Sequence, residues 1–378
     1  MSAPAVQTAS APLVTAAEEK IAAATQLQLT WWRFRKHKLA VASGILVVLF
    51  YIGAILADFL AVTGPHSTDA ARSYIPPQPI HWYDDGAFKP HVYALKGKRD
   101  MRTFKIVYAP DPSDKRYLQL FARGYSYSFL GLFETDRHLL GLDRGKPEDA
   151  LFLLGTDQLG RDVWSRLMLA TRTSLTVGLV GVALSLFLGV LLGGISGLYG
   201  GVVDTVIQRM IEILRSIPTI PLWMGLAAAL PNTWSVTQVY IAITVIISLI
   251  GWTELARVVR GRFLALREED FVTAAELAGA SRLRIIFRHM VPSFLSHIIA
   301  AVSLALPAMI ISETTLSFLG LGLRPPAISW GVLLQDAQNI QALGIAPWLL
   351  VVAIPVIIVI LAFNFLGDGL RDAADPYG

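Results

Sequence analysis

Charge is missing from five long stretches of this chain, and no other feature constrains its fold more. Leu39–Ala57, Thr173–Val203, Ser216–Thr253, Val291–Ser312 and Ala337–Gly367 contain no Asp, Glu, Lys or Arg. About 18 apolar residues cross a bilayer core as a helix. Ser216–Thr253 has 38 residues, about 57 Å as one helix, so it must fold back. Pro231-Asn232 is its turn signal, and six membrane helices are predicted. Hydrophobic residues make up 54% of the chain and charged ones 16%, against about 25% charged in soluble domains. A soluble enzyme, a disordered chain and a nucleic-acid binder are thereby excluded. With no cysteine, disulfides, zinc–thiolate sites, iron–sulfur clusters and cysteine nucleophiles are excluded too.

Orientation follows from cations beside the spans. Trp31-Trp32-Arg33-Phe34-Arg35-Lys36-His37-Lys38 abuts the first span, and Ala256–Val291 carries seven arginines. Both are expected on the cytoplasmic side, as is the C-terminus after six spans. The cations between the first two spans lie in a long loop, which the rule largely exempts. Four regions follow: a cytoplasmic tail (1–38), a first transmembrane helix (39–62), an extracytoplasmic insertion (63–150) and a five-helix core (151–378) containing the cytoplasmic loop 256–291. Residues 1–30 read as disordered, with an amphipathic stretch near 25–32, and lack the features of a cleavable signal peptide. The insertion is expected to be β-rich. It has a turn signal at Asp84-Asp85-Gly86, and Ala109-Pro110-Asp111-Pro112 separates the runs Phe104–Tyr108 and Tyr117–Phe121.

Catalytic signatures are missing. The chain has no G-x-x-x-x-G-K-[ST], H-E-x-x-H or G-x-S-x-G motif, and its seven histidines do not fall at metal-ligand spacing. No metal site is expected, and nothing supports an enzyme.

The loop before the fifth span carries the strongest local signal. Thr273-x-x-Glu276 fits a capping box, with Asp270 as an alternative N-cap, and Gly279 suits the residue that ends a helix. A helix of about two turns is expected, too short to be stable alone. Ala274, Ala275, Gly279 and Ala280 are small enough to let a partner approach the backbone. A plain surface loop is the competing reading.

With the continuation Arg282-Leu283-Arg284-Ile285-Ile286-Phe287-Arg288-His289-Met290-Val291-Pro292, this stretch resembles the EAA loop of ABC-importer permeases. More specifically, it resembles the C-type subunit of the dipeptide/oligopeptide/nickel permease family. Leu154–Val163, Ile217–Pro221, Glu313–Gly322 and Asp368–Asp372 with Asp375-Pro376 agree in order, so the resemblance spans 151–378 and, more weakly, the first helix. The long 63–150 insertion departs from most members. The resemblance implies an all-α, type I importer permease of six transmembrane helices in the bacterial inner membrane. It also implies a second, usually non-identical permease, two ATPase subunits and an extracytoplasmic solute-binding protein. ATP and Mg would sit on the ATPases, and no cofactor on this chain. Asp270, Thr273, Ala274, Ala275, Glu276, Gly279 and Ala280 would dock an ATPase. Peptides are the favoured solute. Nickel or opine-type solutes, or a stand-alone secondary transporter, are the alternatives.

Other readings stay open. Gly155, Thr156, Asp157, Gly160, Arg161 and Asp162 form a polar loop that either makes an internal ion-pair turn or meets the binding protein. Glu313 either pairs within the fold or faces the translocation path. Arg209 and Glu212 are expected to pair with each other or with Glu254 and Arg257, since unpaired charge near lipid is expensive. The Gly189/Gly193/Gly197 stripe suits helix packing, a gate or a subunit seam. The insertion is expected to touch the binding protein or cap the outer mouth.

Overall fold

A computed structural model describes residues 26–99, 101, 106–143 and 150–374. The expected tail before Gln26, part of the Phe104–Tyr108 run and Asp375-Pro376 lie outside the described residues. The helices are α1 (Gln26–Phe34), α2 (Lys38–Ile55), α3 (Ala57–Leu60), α4 (Val163–Tyr199), α5 (Gly201–Ser216), α6 (Thr219–Ala228), α7 (Val236–Leu266), α8 (Asp270–Leu277), α9 (Leu295–Phe318), α10 (Trp330–Asp336), α11 (Ile340–Ile345) and α12 (Ala353–Ala374). A π-helical segment, Ile285–Met290, lies between α8 and α9.

Among the described residues, five helices are long and apolar enough to cross a membrane: α2, α4, α7, α9 and the run Pro347–Ala373 that includes α12. The sixth expected span is not a single helix. The chain makes α5 and then α6, which has only ten residues. Between them Ile217 is extended (φ −86°, ψ 129°). Proline disfavours helical backbone in the residue before it, and Pro218 has no N–H to continue the ladder.

α4 and α7 form the central seam. A Cβ on Gly193 would overlap the Ala256 backbone, one on Gly197 would stand 2.9 Å from Arg260 O, and one on Gly189 would stand 2.9 Å from Leu255 Cβ. The glycine stripe therefore lets two helices of the same chain touch at backbone distance, where dispersion drives association in lipid. At one end of the seam Arg260 holds Asp204 of α5 through two hydrogen bonds of 2.5 Å. Arg209 pairs with Glu212 at 2.6 Å, and Arg215 with Glu254.

Between α3 and α4 lies an antiparallel sheet of β1 (His81–Asp84), β2 (Ala87–Arg99), β3 (Ile106–Phe129) and β4 (Phe133–Leu142), paired in that order. Ala109-Pro110-Asp111-Pro112 does not divide two strands as expected; it lies inside β3. Pro110 pairs with Leu95 of β2, and β4 covers the other edge of β3 only from Leu118 onward. A missing N–H is tolerated at such an uncovered edge. The register shift after Ala94↔Asp111 absorbs Pro112.

Candidate functional site

α8 is an eight-residue helix held from one side. Val272 and Ala275 are buried against Val259, Phe263, Ile285, Ile286 and Met290 of α7 and the π segment. Tertiary packing supplies what so short a helix lacks by itself. Its end is a Schellman motif. Ala280 N–H donates to Ala275 O (3.0 Å) and Gly279 N–H to Glu276 O (2.9 Å), with Gly279 at φ +78°.

The start of α8 differs from expectation. The N-cap is Glu269, without a side-chain cap bond, and Asp270 is the first helical residue. Thr273 is already inside the helix, where its hydroxyl donates to Glu269 O at 3.4 Å. Glu276 turns toward Arg282, whose guanidinium lies 5.7 Å from the Tyr199 ring centroid. The capping box does not form because the helix starts three residues before Thr273, which leaves Thr273 inside it and Glu276 free to pair with Arg282. Of the expected docking residues, Asp270, Thr273, Ala274, Glu276 and Gly279 are exposed and Ala280 is half-buried. Ala275 is a correction: it faces the chain's own core. Sequence reasoning missed Leu277, which is 85% exposed, and Phe271. Leu277 is out of phase with Val272 and Ala275, and that mismatch was the available signal.

At the opposite end of α4, the Gly155–Asp162 loop is an internal clamp. Asp157 Oδ1 accepts from Leu159 N–H (2.9 Å) and Arg161 N–H (3.0 Å). Its Oδ2 accepts from Arg161 Nε (2.7 Å) and from Arg166 Nη1. Both arginines also reach Asp336 at the end of α10, at 3.5 and 3.4 Å. Arg166 and Asp336 were missed because 170 residues separate them. Thr156 accepts from Ile75 N–H at 2.7 Å and donates to Arg72 O at 2.5 Å. Gly160 sits at φ +70° where a Cβ would overlap Asp69 O. Gly155 is also left-handed, at φ +75°. Asp162 caps α4 by accepting from Ser165 N–H at 2.9 Å, and burial pushes its carboxyl up to about 6. Ser165 Oγ in turn accepts from Val62 N–H (2.9 Å) and Thr63 N–H (3.0 Å). The loop thus ties α4 to the segment after α3 and to α10.

Glu313 has no exposed surface. It accepts from Ser174 Oγ of α4 at 2.9 Å and from Ser317 Oγ at 2.8 Å. Trp330 N–H donates to Ser174 Oγ (3.1 Å) and Leu323 N–H to Ser317 Oγ (3.0 Å). Glu313 is the centre of a polar knot joining α4, α9 and α10 and faces the interior of this chain.

Two family descriptions match this chain. Residues 189–377 match the binding-protein-dependent transport system inner membrane component. Residues 25–77 match the N-terminal TM domain of oligopeptide transport permease C. The oligopeptide transport system permease protein OppC of Bacillus subtilis is 36% identical over 69% of this chain and 80% of that protein. OppC of Escherichia coli K12 is 41% identical over 59% of this chain and 71% of that protein. The dipeptide transport system permease protein DppC of Bacillus subtilis is 36% identical over 68% and 79%. Among solved structures, the MetNI methionine ABC transporter aligns with 55% of this chain and 95% of its own, at 18% identity and TM-score 0.40, too slight a likeness to bear on the fold. The chain belongs to the family of inner membrane components of binding-protein-dependent transport systems, as a permease subunit of an ABC importer.

Proposed function

We propose that this chain forms half of the translocation path of an ATP-driven importer for dipeptides or oligopeptides. The observation that carries the reading is α8: a short, Schellman-capped helix packed on the ends of long helices, with Leu277 turned fully outward. Such an element transmits force, because Val272 and Ala275 fix it to α7 and the π segment while its other face is free. An ATPase subunit docks there through Asp270, Phe271, Thr273, Ala274, Glu276, Leu277 and Gly279. ATP and Mg are bound and ATP hydrolysed by two such subunits, and this chain binds no cofactor. A second, non-identical permease completes the path, and an extracytoplasmic binding protein delivers the solute. Peptides are favoured because relatives at 36–41% identity are named for oligopeptide or dipeptide transport.

In this reading α5 and α6 together form one bent crossing, giving six passes of the type I permease. Both termini and α8 lie on the cytoplasmic side of the bacterial inner membrane, and the sheet and the Gly155–Asp162 loop lie outside. Seven arginines in 256–291 support that orientation.

The test is Leu277→Glu in the detergent-solubilised complex. The side chain is exposed, so the fold should survive while ATPase subunits are lost from the purified complex. Equal ATPase recovery with wild type and variant would reject α8 as the docking element.

A further inference from the structure

Two hairpins of the sheet each turn on a pair of left-handed residues, with opposite chemistry. In the β1–β2 turn, Asp85 (φ +48°) and Gly86 (φ +78°) are both left-handed. In the β3–β4 turn, Leu130 (φ +52°) and Gly131 (φ +71°) are both left-handed, and Leu132 N–H donates to Phe129 O at 2.9 Å. Asp is comfortable in this position and soluble in water. Leu is neither: a bulky apolar residue at positive φ is strained. Leu132 is nevertheless 77% exposed, and Leu130 and Phe133 are exposed beside it. Tyr125–Phe133 contains no charge.

The path of β3 shows where this tip goes. Near its start, Tyr108 Oη donates to Ala71 O (3.0 Å) and Ser73 O (3.1 Å). Ser73 Oγ donates to Gln158 O at 2.8 Å, so this part lies level with the loop before α4. Further along, Phe121 packs on Phe59 of α3 with ring centroids 6.0 Å apart. His138 of β4 bridges Tyr125 O and Asp58 O, each at 2.9 Å. Asp58 pairs with Arg172 at 2.6 Å. Arg172 is the last charge before the uncharged run of α4. From Val163 to Arg172 is about 14 Å of helix axis, so at Phe121 and Tyr125 β3 stands at the level of the last charge of α4. The strand runs four residues beyond Tyr125 before the turn, about 13 Å. Phe59 follows α2, whose apolar residues Ile45, Val48, Leu49, Ile52 and Ile55 are exposed.

We infer that the β3–β4 tip, Phe129–Phe133, enters the lipid bilayer as an apolar wedge on the side of the molecule where Phe59 follows α2. The occupant of its exposed face is lipid, because the face is continuous, through Phe121 and Phe59, with the lipid-facing side of α2. Apolar side chains at the tip gain by leaving water. The inference does not depend on the solute or on ATPase docking. Only the choice of the outer leaflet rests on the topology proposed above.

The chain has no cysteine, so Leu132→Cys and Asp85→Cys each create one labelling site. Each variant, with its co-purifying subunits, is labelled with an environment-sensitive nitrobenzoxadiazole dye and reconstituted into phosphatidylcholine vesicles. At position 132 the emission should be blue-shifted, quenched by doxyl-labelled lipid and insensitive to iodide. At position 85 iodide alone should quench. Iodide quenching at position 132 would overturn the proposal by placing the tip in water. Protection at position 132 from both quenchers would overturn it in favour of a protein partner. Should Leu132→Cys fail to fold, Phe133→Cys is read in the same way.

Discussion

Arg166 and Asp157 are each 2% exposed and bind one another through Nη1 and Oδ2 at the first turn of α4. They are the inner members of a four-residue cluster with Arg161 and Asp336. Two cations balance two anions, so the cluster is neutral as a whole and tolerable next to an apolar layer.

Removing one member leaves a buried charge uncompensated. Asp157→Asn is expected to destabilise the chain by about 3–5 kcal/mol. The double variant Asp157→Leu with Arg166→Met should recover much of that loss, because an apolar pair replaces a buried ionic one at little cost. Melting of the detergent-solubilised protein, with each single variant beside the double, measures the coupling. Strictly additive losses would show that the pair acts as two independent groups.

Two glycines of the helical core should respond in opposite directions. Gly193→Ala forces a methyl into the Ala256 backbone and is expected to cost about 1–3 kcal/mol. Gly261→Ala, on α7 with open space at the same position, should stabilise by roughly 0.5–1 kcal/mol. Thermal midpoints of the two variants decide this, and equal shifts would mean that the α4–α7 seam yields more readily than backbone contact implies.

The charge-free runs foretold α2, α4, α7, α9 and α12 because a membrane helix has one dominant requirement, apolar length. The path of the chain through 201–228 was not legible. The uncharged run begins at Ser216, but Pro218 breaks the helix two residues later and leaves only the ten residues of α6. Pro110 misled for the converse reason. Proline reads as a turn unless one knows which strand edge is covered, and that depends on β4, about two dozen residues onward. Site residues divided along similar lines. Gly279 was legible because its left-handed role is local. The Asp157–Arg166–Asp336 cluster was not, because an ion pair across 170 residues leaves no periodic trace. Ala275 was misassigned because the sequence does not show which side of a two-turn helix meets its own protein.

The cap of α8 should set how well that helix is presented. Gly279 is left-handed, and a non-glycine L-residue there is strained by roughly 1–2 kcal/mol. Asn tolerates the conformation better than Ala. ATPase retention in pull-down is therefore expected to fall in the order wild type, Gly279→Asn, Gly279→Ala. Ala retaining more than Asn would show that side-chain size, and not backbone conformation, governs docking.

Asp162 makes the start of α4 sensitive to acidity. Its folded carboxyl titrates near 6, raised chiefly by burial, against an unfolded value near 3.8. The folded state therefore holds the proton more tightly. This contribution is fully present below about pH 3.8 and is lost as pH rises through about 6. The stability lost across this range is on the order of a few kcal/mol. Asp162→Asn keeps a capping oxygen and removes the titration. The gap in melting temperature between variant and wild type should widen in the variant's favour from pH 4 to pH 7. A gap independent of pH would reject Asp162 as the titrating group.

α2 and α12 pack so closely that a Cβ on Gly369 would overlap Ala40, and Phe34, Ala40 and Ala373 share one buried cluster. Farther along, Tyr51 meets Phe363 edge-on with ring centroids 6.4 Å apart. Synthesis runs from one end of the chain to the other, so α2 is made long before the α12 it packs against. The Asp58–Arg172 pair beyond the far end of α2 forms once α4 has emerged, but its near end stays bare until residues beyond Phe363 have left the ribosome. For most of translation that bare face is covered only by lipid or by the insertion machinery. A ribosome that stops before α12 therefore releases a chain in which the apolar seam of α2 has no partner from its own protein.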